Sequence, residues 1–196
     1  MIAIAVTAWS GQVPLSKEPR HKQLLYTAAV IGKEFPRPLL AAVFAVPADD
    51  VDAALAALLA AELVHERAIY PVAEYAFKHP LTHEVALGAQ LGPARRARHA
   101  AVGEAIAAAG ADRLDEYAGL LAHHWTEAGE ALRAATWHVR GARWVRLTDL
   151  TASRRHWTKA RDLLVPLPDS SERTRLLLEV YPELINTLDR LGAQPA

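Results

Sequence analysis

The stretch Glu74–Leu91, EYAFKHPLTHEVALGAQL, decides the fold. Tyr75 and Phe77 alternate with Ala76 and Lys78 as in a half-buried strand, and the period changes at His79 and Pro80. Pro80 suits a first helical position, where a missing N–H costs nothing and the fixed φ is already right, so His79 falls at or beside the N-cap. Leu81, Val85 and Ala89 are the expected apolar stripe of the helix that follows. The His79 imidazole is thereby expected at a helix N-terminus, where free N–H groups and the macrodipole favour an anion such as a phosphate.

Upstream of this junction the pattern is helical from Lys17, with Leu24, Leu25, Ala28, Ala29 and Ile31 on one face. Gly32 is the expected stop, with Lys33, Glu34 and Phe35 prolonging the turn. Pro36 and Pro38 open a short helix through Leu39, Leu40, Val43 and Phe44. Pro47 breaks it, and Ala48-Asp49-Asp50 supplies the N-cap and first-turn acids of a third helix to about Glu62, burying Val51, Leu55, Leu58 and Leu59. Leu63–Tyr70 and Val72–Lys78, separated around Pro71, read as a β-hairpin. Three helices and a hairpin give the order of a winged helix-turn-helix, a fold that often places a recognition helix in the DNA major groove. The charge speaks against that use. From Pro38 to Glu66 there is no Lys or Arg, while Asp49, Asp50, Asp52, Glu62 and Glu66 are acidic, and phosphate neutralisation supplies most non-specific affinity.

Downstream of Gly92-Pro93 the chain stays helical. Ala94–Ala109 opens with Arg95, Arg96 and Arg98 and ends at Gly110. Asp112 can cap a helix carrying Leu114, Tyr117, Leu120, Leu121, His124 and Trp125 to Gly129. The segment from Glu130 to about Leu147 follows, with Trp137, Gly141 and Trp144 at i, i+4 and i+7. Thr151–Leu164 places Trp157, Ala160 and Leu164 on one side and closes at Pro166 and Pro168. Ser171–Leu191 completes the set, with Pro182 as a fresh turn or a kink. Short helices joined by Gly- or Asp-containing turns suit helical hairpin repeats, and Ser153, Trp157, Ala160 and the proline beyond resemble the second half of a degenerate tetratricopeptide repeat.

Composition bounds the function. The chain has 196 residues, 52% of them hydrophobic, and a net charge of zero, enough for a packed core and without a general basic coat. Forty alanines and few aromatics point to close-packed helices. The absence of cysteine excludes disulfides, Cys-based zinc sites and thiol nucleophiles. The apolar run in MIAIAVTAW is too short to span a membrane and has no basic n-region, so a cytoplasmic location is expected. Between Glu130 and Arg161, Arg133, Arg140, Arg143, Arg146, Arg154, Arg155, Lys159 and Arg161 face only Glu130 and Asp149. This run reads either as a basic groove for an acidic peptide or nucleic acid, or as the solvated face of two helices. His79 and His83 have i, i+4 spacing for a shared zinc ion, with no third ligand to name. Gly32-Lys33 is followed by Glu34 and has Thr27 where the first glycine would stand, so it is not a Walker A motif. No nucleophile elbow or triad is visible.

Three runs carry a resemblance: LLYTAAVIGKEFPRPLLAAVF (24–44), DAALAALLAAELVHERAIYPVAEYAFKHPLTHEVALGAQL (52–91) and LLAHHWTEAGEALRAATWHVRGARW (120–144). They resemble the region after the ATPase core in bacterial signal-transduction ATPases with numerous domains, in particular those fused to class III adenylate or guanylate cyclase domains. The most specific part is Phe77–Ala86. The resemblance implies a winged helix followed by tetratricopeptide-like helices, and gives His79 the role of sensing the phosphates of a bound nucleotide. Pro80 replaces the Asp that follows this histidine in some branches, and His79 as a simple cap of its own helix remains the other reading.

The expectation is therefore a mainly α protein: an N-terminal segment (1–19), a winged-helix-like domain (20–93) and a tetratricopeptide-like helical domain (94–192). Its expected work is non-enzymatic, as a regulatory and protein-interaction module of a cyclase-linked signalling ATPase that couples nucleotide state to partner binding. No cofactor of its own is expected, ATP or ADP being reached only through a P-loop core that this sequence lacks. Partners are expected to be proteins docking on the helical array, an ATPase or cyclase module in trans among them, with no nucleic acid and no membrane. A DNA-binding winged-helix transcriptional regulator is the alternative.

Overall fold

The computed structural model describes residues 18–44, 46–110 and 113–192. Residues 1–17 of the expected N-terminal segment and the Asp112 cap lie outside the described residues, and the last two residues of that segment already belong to the first helix. Among the described residues the chain is mainly α, with nine helices and one small antiparallel sheet near its beginning. It divides after Ala105 into two compact units. No helix of the described residues is long and apolar enough to cross a membrane.

The N-terminal unit is built from α1 (Glu18–Ile31), β1 (Glu34–Pro36), α2 (Arg37–Phe44), α3 (Ala48–Ala60), β2 (Val64–Ala68), β3 (Glu74–Phe77), α4 (Pro80–Gly88) and the first part of α5 (Gly92–Ala109). Leu24, Leu25 and Ala28 of α1, Leu40 of α2, and Val51, Leu55 and Leu58 of α3 form the core. Phe35 closes it, stacked on Tyr75 at 6.0 Å and edge-on to Phe77 at 5.9 Å. Full burial of an aromatic of this size contributes roughly 1.5–3 kcal/mol. Pro47 is the N-cap of α3, and Asp49 and Asp50 sit in its first turn, where the macrodipole favours acids. Asp50 pairs with Arg20 at 2.6 Å, and Asp52 with Arg37 at 2.7 Å. The Arg37 guanidinium, hydrogen-bonded to Asp52, holds that carboxyl below the usual range.

The hairpin forms as expected, Val64 opposite Phe77 and His65 opposite Ala76. A third strand was not expected. Glu34–Pro36, read as a prolonged turn, pairs antiparallel with β3 and gives the sheet order β1-β3-β2. Three residues ending in proline are too short to show any alternation, and tertiary packing of Phe35 decides their conformation. The expected stripe of α4 is also corrected. Thr82 and Ala86 are buried, as is Gln90 beyond the helix end, whereas Leu81 and Ala89 are exposed. Polar anchoring sets this face: Gln90 Nε2 donates to the Tyr26 carbonyl at 3.1 Å, and His83 Nε2 lies 2.9 Å from the Ala29 carbonyl.

In the C-terminal unit α6 (Ala118–Ala128), α7 (Ala131–Val145), α8 (Leu150–Leu164) and α9 (Ser171–Arg190) each pack on the next, and α9 also touches α7. Their limits are chemically marked. Gly129 ends α6 with φ 82°, a left-handed position natural to glycine. The Asp149 carboxylate accepts the Ala152 N–H at 2.8 Å, and Ser170 Oγ accepts the Arg173 N–H at 3.1 Å. Trp157 is fully buried, clustered with Ala135, Val139, Ala142, Ala160, Leu164, Leu176 and Val180. Ser153 Oγ donates to the Ala142 carbonyl at 3.0 Å, holding α8 close to α7. Pro182 lies within an unbroken α9 on its exposed face, so the expected fresh turn does not occur.

Candidate functional site

The strand-to-helix junction is built as expected. His79 is the extended N-cap of α4 (φ −131°, ψ 133°), with Pro80 at the first helical position. The His79 carbonyl accepts the N–H of Thr82 at 3.0 Å, and its imidazole is exposed and makes no capping hydrogen bond. His83 does not join it as a metal ligand. Its Nε2 is taken by the Ala29 carbonyl and its ring packs edge-on against Phe77 at 5.1 Å. Among the described residues no three His, Cys, Asp or Glu side chains are grouped to hold a metal ion.

A larger feature lies in the C-terminal unit. A groove of about 510 Å³ runs along α7 and α9, lined by Thr136, Arg140, Arg143, Trp144, Arg175 and Glu179, with Asp115 at its rim. An adjoining hollow of about 400 Å³ shares Arg143 and Glu179 and adds Arg146 and Glu183. Of the basic run read from the sequence, Arg140, Arg143 and Arg146 reach this surface. The others disperse: Arg133 lies over the Trp125 ring at 4.4 Å and Arg161 pairs with Asp162 at 2.7 Å.

Within the groove two guanidiniums are already engaged. Arg140 pairs with Asp115 and stacks over Trp137, and Arg143 pairs with Glu179. Among the described residues neither Arg146 nor Arg175 has a carboxylate within ion-pair distance. Trp144, 53% exposed, offers an aromatic wall beside them. The arrangement can bind carboxylates through guanidinium forks and seat an apolar side chain on the indole. Asp115, Arg175 and Glu179 were not picked out from the sequence. Asp115 lies far along the chain from Arg175 and Glu179, which share α9, and only folding brings it to them.

Behind α7 a histidine pair was likewise missed. His138 Nδ1 and His156 Nδ1 lie 2.9 Å apart, one donating and the other accepting. The His156 ring fills space left by Gly141, where an added Cβ would stand 3.1 Å from Cε1, and it also lies over Gly119. Burial lowers the His138 pKa to about 4, assisted by His156, Lys159 and His123, and burial with Arg155 lowers that of His156. Both rings are therefore neutral at pH 7. Compared with protein-family models, with curated proteins and with solved structures, the chain matches none.

Proposed function

We propose that this protein is a non-enzymatic regulatory and interaction module, in which a winged-helix unit is followed by tetratricopeptide-like helices that bind a protein partner. The observation that carries the reading is the α7–α9 groove, with two uncompensated guanidiniums and an exposed indole on rigid helices. Its fitting partner is a peptide segment with carboxylates flanking an apolar residue. The order α1-β1-α2-α3-β2-β3 supports the winged-helix reading. The faces of α3 that would meet DNA carry Asp49 and Asp52 and no cation, which favours a protein partner over a nucleic acid.

In a cyclase-linked signalling ATPase, the exposed His79 imidazole at the N-terminus of α4 would meet the phosphates of nucleotide held by an ATPase core in trans. Two titrations test the proposal. Fluorescence anisotropy with a labelled Glu-Asp-Leu-Asp-Glu peptide should show salt-sensitive binding that Arg146→Glu or Trp144→Ala weakens at least about tenfold. No binding, or equal binding of a Lys-for-acid control peptide, would remove the groove reading. Calorimetry with ADP and ATP, with and without magnesium, on wild type and His79→Ala tests the nucleotide half. Binding lost in the variant supports it, and binding in both or in neither overturns a site on this chain alone.

A further inference from the structure

Helix α9 is apolar on two opposite faces. One carries Leu176, Val180 and Leu184 into the core. The other presents Leu178, Tyr181 and Ile185 to solvent, exposed by 73%, 45% and 57%. These three fall at i, i+3 and i+7, one continuous stripe. A helix apolar on both sides is normally covered on both. On the same exposed face stand Arg175 toward the N-terminal end and Asp189 toward the C-terminal end, both exposed and without an ion-pair partner among the described residues.

The spacing of these residues is self-complementary. About a point between Tyr181 and Pro182, Leu178 lies as far toward the N-terminus as Ile185 lies toward the C-terminus. Arg175 and Asp189 are equidistant from Pro182, about half a residue from that point and within reach of the long Arg175 side chain. Reversing the helix about a two-fold axis through that point sets apolar against apolar and cation against anion. A symmetric pair requires that a surface complement itself in this way, because each contact must occur twice.

We propose that the outer face of α9 is the two-fold contact of a homodimer. In it α9 packs antiparallel on its copy, Leu178 against Ile185 of the partner subunit and Arg175 against Asp189 of the partner subunit. Tyr181 sits near the axis and its ring covers the centre of the stripe. The pairing engages Arg175, one of the two free groove cations, and leaves Arg146 as the free cation of the groove. Dimer formation thereby lowers the affinity of the groove for an acidic peptide.

Sedimentation equilibrium over about 5–300 µM, the range where a single helix pair is expected to associate, tests this. The mass should rise from that of one 21.4 kDa chain toward twice that value. Leu178→Glu with Ile185→Glu, at positions outside the core, should give a monomer with unchanged circular dichroism and melting temperature. Arg175→Asp or Asp189→Arg alone should weaken association about tenfold, and the double reversal should restore it, because each charge then meets its opposite across the axis. A monomer at every concentration overturns the proposal, as does a dimer indifferent to the Leu178/Ile185 change or a double reversal no better than either single one. The peptide titration on the monomeric variant is read independently, so failure of the dimer and failure of the groove are distinguishable.

Discussion

Acidification should weaken the C-terminal unit through the His138–His156 pair. Burial, assisted by His156 and Lys159 on α8 and His123 on α6, depresses the His138 pKa from 6.5 to about 4. The unfolded chain binds a proton near 6.5 that the folded chain refuses until about 4. The stability is thus complete above pH 6.5, falls as the pH drops through the interval, and levels off below about 4. At about 1.36 kcal/mol per pH unit, this interval corresponds to about 3 kcal/mol for His138. The assay is urea unfolding followed by tryptophan fluorescence and circular dichroism at steps across the interval, on wild type and His138→Asn. The Asn variant should lose most of the pH dependence between 6.5 and 4, narrowing the gap to wild type by about 2–3 kcal/mol at the acid end. Proton NMR of the His138 ring gives the decisive companion reading. A ring that titrates near 6.5, or a variant with the same acid slope as wild type, would refute the reasoning and assign the acid loss to carboxylates.

Three further changes separate the packing of this unit from its groove. Gly141→Ala should cost about 1–3 kcal/mol in urea melts, because its Cβ meets a His156 ring that His138 holds in place. Trp157→Ala should cost about 3–5 kcal/mol, whereas Trp144→Ala should cost less than about 1 kcal/mol and act only on peptide binding.

The sequence announces its element ends more clearly than its faces. His79-Pro80 and Gly129 mark boundaries because proline and glycine act through local backbone chemistry, whereas the Asp149 and Ser170 caps were not picked out. Glu34–Pro36 is different: its strand exists only because β3 lies beside it. The face of α4 also escaped local reading. Leu81 looks like core, but the hydrogen bonds of His83 and Gln90 to α1 rotate Thr82 and Ala86 inward. For the same reason the basic run was legible as a charge excess while its use was not. Arg140 and Arg143 spend their charge on Asp115 and Glu179, and the cation that completes the groove, Arg175, lies outside the run.

The order of the small sheet restricts how the N-terminal unit can be approached. β1 is three residues long and ends in Pro36, which has no N–H to offer an incoming chain. On the opposite edge, β2 carries exposed His65, Glu66 and Arg67, and its register slips between Glu66 and Ala68. Neither margin is a template for another chain's backbone. Recruitment by strand addition, and the runaway stacking that open margins invite, are both closed to this unit, so whatever it meets must be recognised through side chains.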